Sequence, residues 1–265
     1  MNIFGRIAQK IRDLASTRGY VCDCCGAEIF EYPVKRLCDS CAEALMRNDG
    51  LRCAKCGRKT VSQGICLNCK AKLPLFTRGL SPLVYGGETA SLVNRIKNGN
   101  RRLAYFFAEE MSDVFLRSLT EEDLGRYALN VDAGVKNTLL VVPVPLTKEK
   151  RNTRGYNQAE ELAYIITGKL SDAGVSVTLD TELLQKRREN TPQKDLGFAA
   201  RAKNVAGAYH VHKRKTCQGA SILLVDDIMT TGATGSECSK LLFSAGAQEV
   251  FFLTAVSLPE RAHRS

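Results

Sequence analysis

Four Cys-x-x-Cys pairs crowd into one stretch of the chain: Cys22/Cys25, Cys38/Cys41, Cys53/Cys56 and Cys66/Cys69. With Cys24 inside the first pair, they make up nine of the eleven cysteines in 265 residues. Such spacing sets two thiolates on one side of a tight knuckle, and two knuckles complete a tetrahedron around zinc. Gly26 and Gly57 follow the first and third pairs, where a knuckle often needs positive φ. Residues Met1 to Lys10 show neither an uninterrupted apolar core nor a small-residue cleavage site, so no secretory signal is read. In a chain that is not secreted, clustered cysteines point to metal rather than to disulfides. Four pairs fit a double zinc ribbon with two structural ions, because a closed four-thiolate site leaves no position for substrate. The short intervening loops favour 22/25 with 38/41 and 53/56 with 66/69, while crossed pairing also satisfies the spacing.

Charge is divided as unevenly as cysteine. Residues 1–80 hold 14 Lys/Arg against 7 Asp/Glu, and the remainder 24 against 21, within a net charge of +10. Eight thiolates and two zinc dications lower the first part from +7 to about +3, so basicity alone does not signify nucleic-acid binding. Aromatic residues total 7% with no Trp and do not interleave with the basic ones, so no dedicated single-strand stacking platform is evident. The longest apolar runs, Leu139–Leu146 and Val250–Leu258, fall short of the roughly 18 residues of a spanning helix. No transmembrane segment is predicted. Ile3, Phe4, Ile7, Ile11 and Leu14 recur at helical spacing and predict an N-terminal helix packed on the protein's own body. The expected division is therefore 1–78, the N-terminal helix and double zinc ribbon, and 79–265, a larger domain.

In that larger domain strands are predicted at Leu80–Tyr85, Leu139–Val144, Val175–Leu179, Val205–Val211, Ser221–Val225 and Glu249–Val256. Helices are predicted at Glu88–Lys97, Leu103–Leu119, Tyr156–Asp172 and Thr234–Ala245. Strands apolar on both faces and alternating with helices imply an α/β fold with a parallel sheet covered on both sides. Such folds bind ligands at the carboxyl ends of their strands. His210 and His212 share a strand face and read as exposed; Cys217 and Cys238 lack partners at ligand spacing and read as ordinary thiols.

One predicted strand runs straight into two carboxylates, Asp226 and Asp227, followed by Ile228, Met229 and a short Thr/Gly/Ala loop that opens a helix. Loop amides and a helix start form a site for an anion such as phosphate. Gly232 permits close backbone approach, and Thr230, Thr231 and Thr234 add hydroxyl donors. The acids cannot hold that anion; they suit sugar hydroxyls or a metal. A ligand with a phosphate, a polyol and further anionic charge satisfies all these groups. No Walker loop, dinucleotide fingerprint or nucleophile elbow is present.

The run Val225-Asp-Asp-Ile-Met-Thr-Thr-Gly-Ala-Thr234 resembles the phosphoribosyl pyrophosphate (PRPP) motif of type I phosphoribosyltransferases. With the cysteine pairs, Val142-Pro-Val-Pro-Leu146 and Arg154-Gly-Tyr-Asn-Gln158, the chain resembles the ComF family of bacterial competence and DNA utilisation over nearly its whole length. Arg187 through Val205 is similar to that family's third signature, with Asn190 in place of its Thr. The resemblance implies a phosphoribosyltransferase-type domain. In it Asp226 and Asp227 hold the ribose hydroxyls as binding and catalytic groups, and Met229, Thr230, Thr231, Gly232, Ala233 and Thr234 hold the 5-phosphate. Pro143, Val144 and Pro145 turn beneath the pyrophosphate, and Mg2+ arrives with it. Lys97 and Arg154, beside these motifs, join the site. Residues 186–215 hold nine Lys/Arg against two acids, and a long mobile loop there, with Arg187, Arg188, Gln193 and Arg201, closes over the ligand.

Two functions follow as expectations. One is a Mg2+-dependent phosphoribosyltransferase with an unread acceptor. The other is a non-catalytic single-stranded-DNA-binding scaffold that uses the PRPP-type site as a sensor. Both imply a cytoplasmic protein, peripheral to the inner membrane face only through partners of the competence machinery.

Overall fold

The computed structural model describes residues 21–31, 33–128, 138–187, 205–212 and 214–260. The helix expected within residues 1–20, and Arg188, Gln193 and Arg201 of the expected mobile loop, lie outside the described residues. The chain forms two compact units, Met1–Leu45 and Met46–Ser265. The described part of the first unit is the first cysteine cluster with a five-residue helix, α1 (Asp39–Glu43). The expected division at 78/79 groups both cysteine clusters together; the observed contacts group the second with the α/β body.

The body is built on a parallel sheet in the order β1-β8-β7-β3-β4: β1 (Arg78–Leu80), β3 (Leu139–Pro143), β4 (Val177–Leu179), β7 (Ser221–Met229) and β8 (Glu249–Ser257). A two-residue strand, β2 (Leu83–Val84), also pairs with β8. The single strand expected over 80–85 is thus interrupted, because Pro82 has no N–H to give to a ladder. A separate antiparallel pair joins β5 (Leu184–Lys186) to β6 (Tyr209–Val211).

Alternation along the central strands builds two cores. Phe251 of β8 meets Phe115 edge-on at 5.6 Å, on the side of α3 (Gly87–Lys97), α4 (Leu103–Leu116) and α7 (Gln158–Asp172). Its neighbour Phe252 meets Phe76 at 5.3 Å on the other side, in one apolar cluster with Ile222, Leu224 and Leu242 of α8 (Ala233–Ser244). Cys53, Cys56, Cys66 and Cys69 belong to that same cluster. The second ribbon, including the short helix α2 (Leu67–Ala71), is therefore part of the body's core.

Three more contacts fasten it there. Asn48, 3% exposed, donates from Nδ2 to the carbonyls of Gly57 (2.7 Å) and Ser81 (2.8 Å). The Glu260 carboxylate, just past β8, accepts from the Leu67 amide at 2.6 Å, and the Glu260 amide donates to the Lys59 carbonyl at 2.9 Å. Gly57 has φ +71, and a Cβ there would lie 2.3 Å from the Gly79 carbonyl oxygen. Only glycine meets both demands.

Beyond α1 and α2, two more short helices have no counterpart among the predicted elements. α5 (Glu121–Tyr127) starts at a Thr120–Asp123 capping box, and α6 (Lys148–Arg154) runs from the Thr147 cap to Gly155 in the left-handed region. Each has seven residues and too little apolar periodicity to be seen. β7 is longer than expected, its ladder with β8 running on to Met229↔Ser257.

Gly57→Ala combines left-handed strain with a backbone clash and is expected to cost roughly 2–5 kcal/mol. Gly174→Ala, at φ +83 with open space around it, is expected to cost only about 1 kcal/mol. Urea unfolding of the two variants measures the difference.

Candidate functional site

At the carboxyl ends of β3 and β7 lies a cavity of about 180 Å³. Its walls include Lys97, Val144, Pro145, Arg154, Asp226, Asp227 and Thr234, all singled out in the sequence. The fold assembles them from five places, Thr234 coming from the first turn of α8. β7 carries the acids, and the turn after β3 carries Val144 and Pro145. Lys97 ends α3, and Arg154 ends α6.

Local chemistry fixes each position. Val144 keeps the register of β3 by donating its amide to the Val225 carbonyl at 2.8 Å. Asn157, 6% exposed, donates from Nδ2 to the Val144 carbonyl at 3.1 Å and caps α7 by accepting from the Ala159 amide at 3.1 Å. Gln158 reaches the Lys97 carbonyl at 3.4 Å and accepts from Arg154 at 3.4 Å. The Arg-Gly-Tyr-Asn-Gln run thus sets the cavity wall, with Gly155 ending α6 and Asn157 starting α7.

The acids differ in environment. Lys97 Nζ stands 3.2 Å from Asp227 Oδ2. Asp226 accepts the Asp227 amide at 2.9 Å. Burial at the strand tip, followed by the charge of Asp227, pushes the Asp226 carboxyl up to about 8, against the opposing pull of that amide and Lys97.

The loop after β7 faces a second, smaller space of about 60 Å³ lined by Thr231, Gly232, Ala233 and Ser236, with Lys72, Pro74 and Glu237 completing its wall. Gly232 takes φ +80 and serves as the N-cap of α8, whose first turn has no acidic residue and whose Ala233 amide donates to Thr231 Oγ1 at 3.3 Å. Its leading amides are aimed out of the helix start and suit an anion. Thr230 precedes this space, its carbonyl accepting from Arg58. Ile228 is half-buried, and Met229 turns into the core at 2% exposure. Neither lines the larger cavity, nor does Pro143, buried as the last residue of β3. Arg187 is exposed, its amide bonded to the Ala208 carbonyl.

Lys186 and Tyr209, on the β5–β6 pair, also line the cavity, with Lys186 Nζ 5.3 Å from the Tyr209 ring centre. No spacing in the sequence marks them, since the antiparallel pairing brings them there.

Each cysteine cluster holds its four sulfurs within 4.8 Å of one another, in the sequential pairing 22/25 with 38/41 and 53/56 with 66/69. Both can hold a metal ion. In the second, all four thiols are buried, and Cys53 Sγ accepts from the amides of Cys56 (3.5 Å) and Cys66 (3.3 Å). Arg58, 2% exposed, donates from Nε to Cys56 Sγ at 3.2 Å. The Cys66 and Cys69 thiols, and then Arg58, hold the Cys56 thiol well below the usual thiol range.

A carboxyl with a raised folded-state pKa binds more protons folded than unfolded. Asp226 therefore removes stability from the unliganded protein as pH rises from about 4 to about 8. Asp226→Asn is expected to flatten that slope and to stabilise the protein at pH 8 by about 1–2 kcal/mol, the usual scale of a relieved buried charge. Denaturation at pH 5 and pH 8 tests both.

No protein-family model matches the chain. It is 27% identical to the DNA utilization protein YhgH of Salmonella typhimurium, over 81% of this chain and 87% of that protein. It is 22% identical to the Competence protein ComFC of Bacillus subtilis, over 81% of this chain and 80% of that one. Competence protein F of Haemophilus influenzae matches at 30% over 42% of this chain and 46% of its own. Among solved structures, hypoxanthine-guanine phosphoribosyltransferase from Schistosoma mansoni in complex with IMP aligns at TM-score 0.33 and 14% identity, covering 63% of this chain and 68% of that one. The allosteric regulatory enzyme of purine biosynthesis aligns at 0.32 and 16%, covering 58% and 26%. The parallel order of the sheet, rather than these likenesses, defines the fold. Among the described residues no helix is long and apolar enough to cross a membrane.

Proposed function

Since the chain belongs to the ComF family, we propose that it is a cytoplasmic phosphoribosyltransferase-type protein of DNA uptake whose strand-end cavity binds PRPP with Mg2+. One observation carries the reading: the acid pair, the three cations Lys97, Arg154 and Lys186, and Thr234 of the α8 start line one cavity at the ends of adjacent parallel strands. Asp226 and Asp227 receive the ribose hydroxyls, the amides and hydroxyls of Thr231–Thr234 receive the 5-phosphate, and Lys97, Arg154 and the Val144–Pro145 turn face the pyrophosphate. Magnesium shields the pyrophosphate charge. Catalysis then consists of positioning the ribose carbon and stabilising the departing pyrophosphate while positive charge grows on the sugar. The acceptor is a base or amine. Zinc fills both four-cysteine clusters as a structural ion.

Calorimetry of the zinc-loaded protein is expected to show saturable binding of Mg2+–PRPP. Asp226→Ala with Asp227→Ala is expected to weaken it at least 100-fold. Absence of binding by the unsubstituted protein rejects the reading, and a screen of bases and amines with the double variant as control decides turnover.

A second reading, single-stranded DNA binding by the same chain with or without turnover, has its own support. A groove of about 920 Å³ contains Arg47, Arg52, Arg78 and Arg117 against Asp49 and Glu110. Glu110 already holds Arg47 through two bonds of 2.7 and 3.0 Å, while Arg52 and Arg117 are exposed. This surface suits nucleic-acid phosphates, and partner proteins of the uptake machinery would meet the same DNA. Affinity for an oligonucleotide is expected to fall steeply with salt, and Arg52→Glu with Arg117→Glu to lower both the affinity and the salt slope. A salt-independent affinity counts against it.

A further inference from the structure

We infer that Arg58 is a positioning residue for the candidate phosphate loop, and that through it the order of the loop depends on the metal of the second four-cysteine centre. The inference rests on the phosphoribosyl reading only for the identity of the ligand. Arg58 lies two residues beyond Cys56 and is among the largest fully buried side chains. One edge of its guanidinium donates to Cys56 Sγ at 3.2 Å, and Nη2 donates to the Thr230 carbonyl at 2.9 Å. Among the described residues no carboxylate forms an ion pair with it. A guanidinium taken this far from water needs a counter-charge. Four thiolates around a divalent ion leave two negative charges on the centre, beside the guanidinium. The loaded centre therefore suits the buried cation, and this fit supports the assignment of a metal to these residues.

The other end of the guanidinium reaches the ligand site. Thr230 is the first residue after β7, and Thr231 and Gly232 follow directly. Because the peptide unit is planar, a donor fixed on the Thr230 carbonyl also fixes the direction of the Thr231 N–H, a leading amide of the anion site. The surroundings leave little slack. Phe76, fully buried, lies under Gly232, with its ring 3.8 Å from where a Cβ would stand. The Leu75 amide donates to Ser236 Oγ of α8 at 3.1 Å. Gly57 is pressed against Gly79, and the Gly79 amide donates to the Lys55 carbonyl at 2.8 Å. The knuckle is thus a fixed wall from which one side chain extends to hold the loop.

Loss of the metal frees the Cys56 sulfur from the tetrahedron and with it the anchor that Arg58 is bonded to. Arg58 then turns toward water and Thr230 loses its donor. Thermodynamic linkage makes the effect mutual: an anionic ligand that needs the ordered loop raises the affinity of the centre for its metal by the factor that the metal raises the ligand's.

The test uses the full, zinc-loaded chain, with Arg58→Lys and Arg58→Met beside it. Lysine keeps a cation next to Cys56, but its single ammonium cannot hold both partners. Native mass spectrometry reads the metal, hydrogen exchange reads peptides covering 229–234, and calorimetry reads Mg2+–PRPP. Arg58→Lys is expected to keep two zinc ions per chain, to exchange at least tenfold faster in the loop with no change at 222–225, and to bind PRPP about tenfold more weakly. Unchanged loop exchange with both metals in place overturns the inference. So does equal PRPP affinity in Arg58→Lys and a binding-competent parent. If the parent itself fails to bind PRPP, the phosphoribosyl reading falls and the exchange measurement still decides Arg58. Should both variants fail to fold, graded chelation of the unsubstituted protein replaces them: a loop that stays protected after the second centre has lost its metal refutes the coupling.

Discussion

Strand β7 is hydrogen-bonded along both edges, to β3 through Leu140↔Ile222 and onward, and to β8 from Ser221↔Glu249 to Met229↔Ser257. Residues Ser221 to Val225 are buried, and at Asp226 the side chains change from apolar to acidic while the ladder to β8 continues. A strand so held cannot slip without breaking the ladders on both its edges. The acids are therefore delivered to a fixed point beside the end of β3. The turn at Val144–Pro145, the cap of α7 and the start of α8 are all placed relative to that point.

Charge at this point is left unbalanced in a useful way. Asp227 has Lys97 beside it, whereas Asp226 sits in a desolvated corner with a neighbouring carboxylate. Such a corner costs stability, and hydroxyl donors or a cation brought to the acids would return it. Such sites are where local stability is sacrificed for function. On the opposite side of the sheet from α4 and α7, a buried guanidinium is instead bonded to a cysteine sulfur and a backbone carbonyl within the apolar core. The two arrangements meet at Thr230, one residue beyond the strand that carries the acids.

The chemistry of the site was legible because it is local in sequence. Asp226 through Thr234 contains the acids, the loop and the helix start without interruption, and the Cys-x-x-Cys spacing marks the ligand pairs, whose sequential grouping the structure decides. The strands of the central sheet were legible for the same reason: buried parallel strands are apolar throughout, and β3, β7 and β8 declare themselves. What escaped was short or polar. β5, with Gln185 and Lys186, has no alternation long enough to detect, and α5 and α6 owe their existence to caps at Thr120 and Thr147 more than to an apolar face.

Sequence by itself determined the cysteine pairs, the parallel α/β pattern and the acid-tipped strand, since each is written in contiguous residues whose local physics admits few alternatives. Tertiary structure alone decided that Lys97, Arg154, Lys186 and Tyr209 line one cavity, and that the second cysteine cluster joins the body's core while a buried Arg58 links it to Thr230. Those relations join residues far apart along the chain, and only close packing, with its demand that buried charge be paired and buried backbone be bonded, brings them within reach of one another.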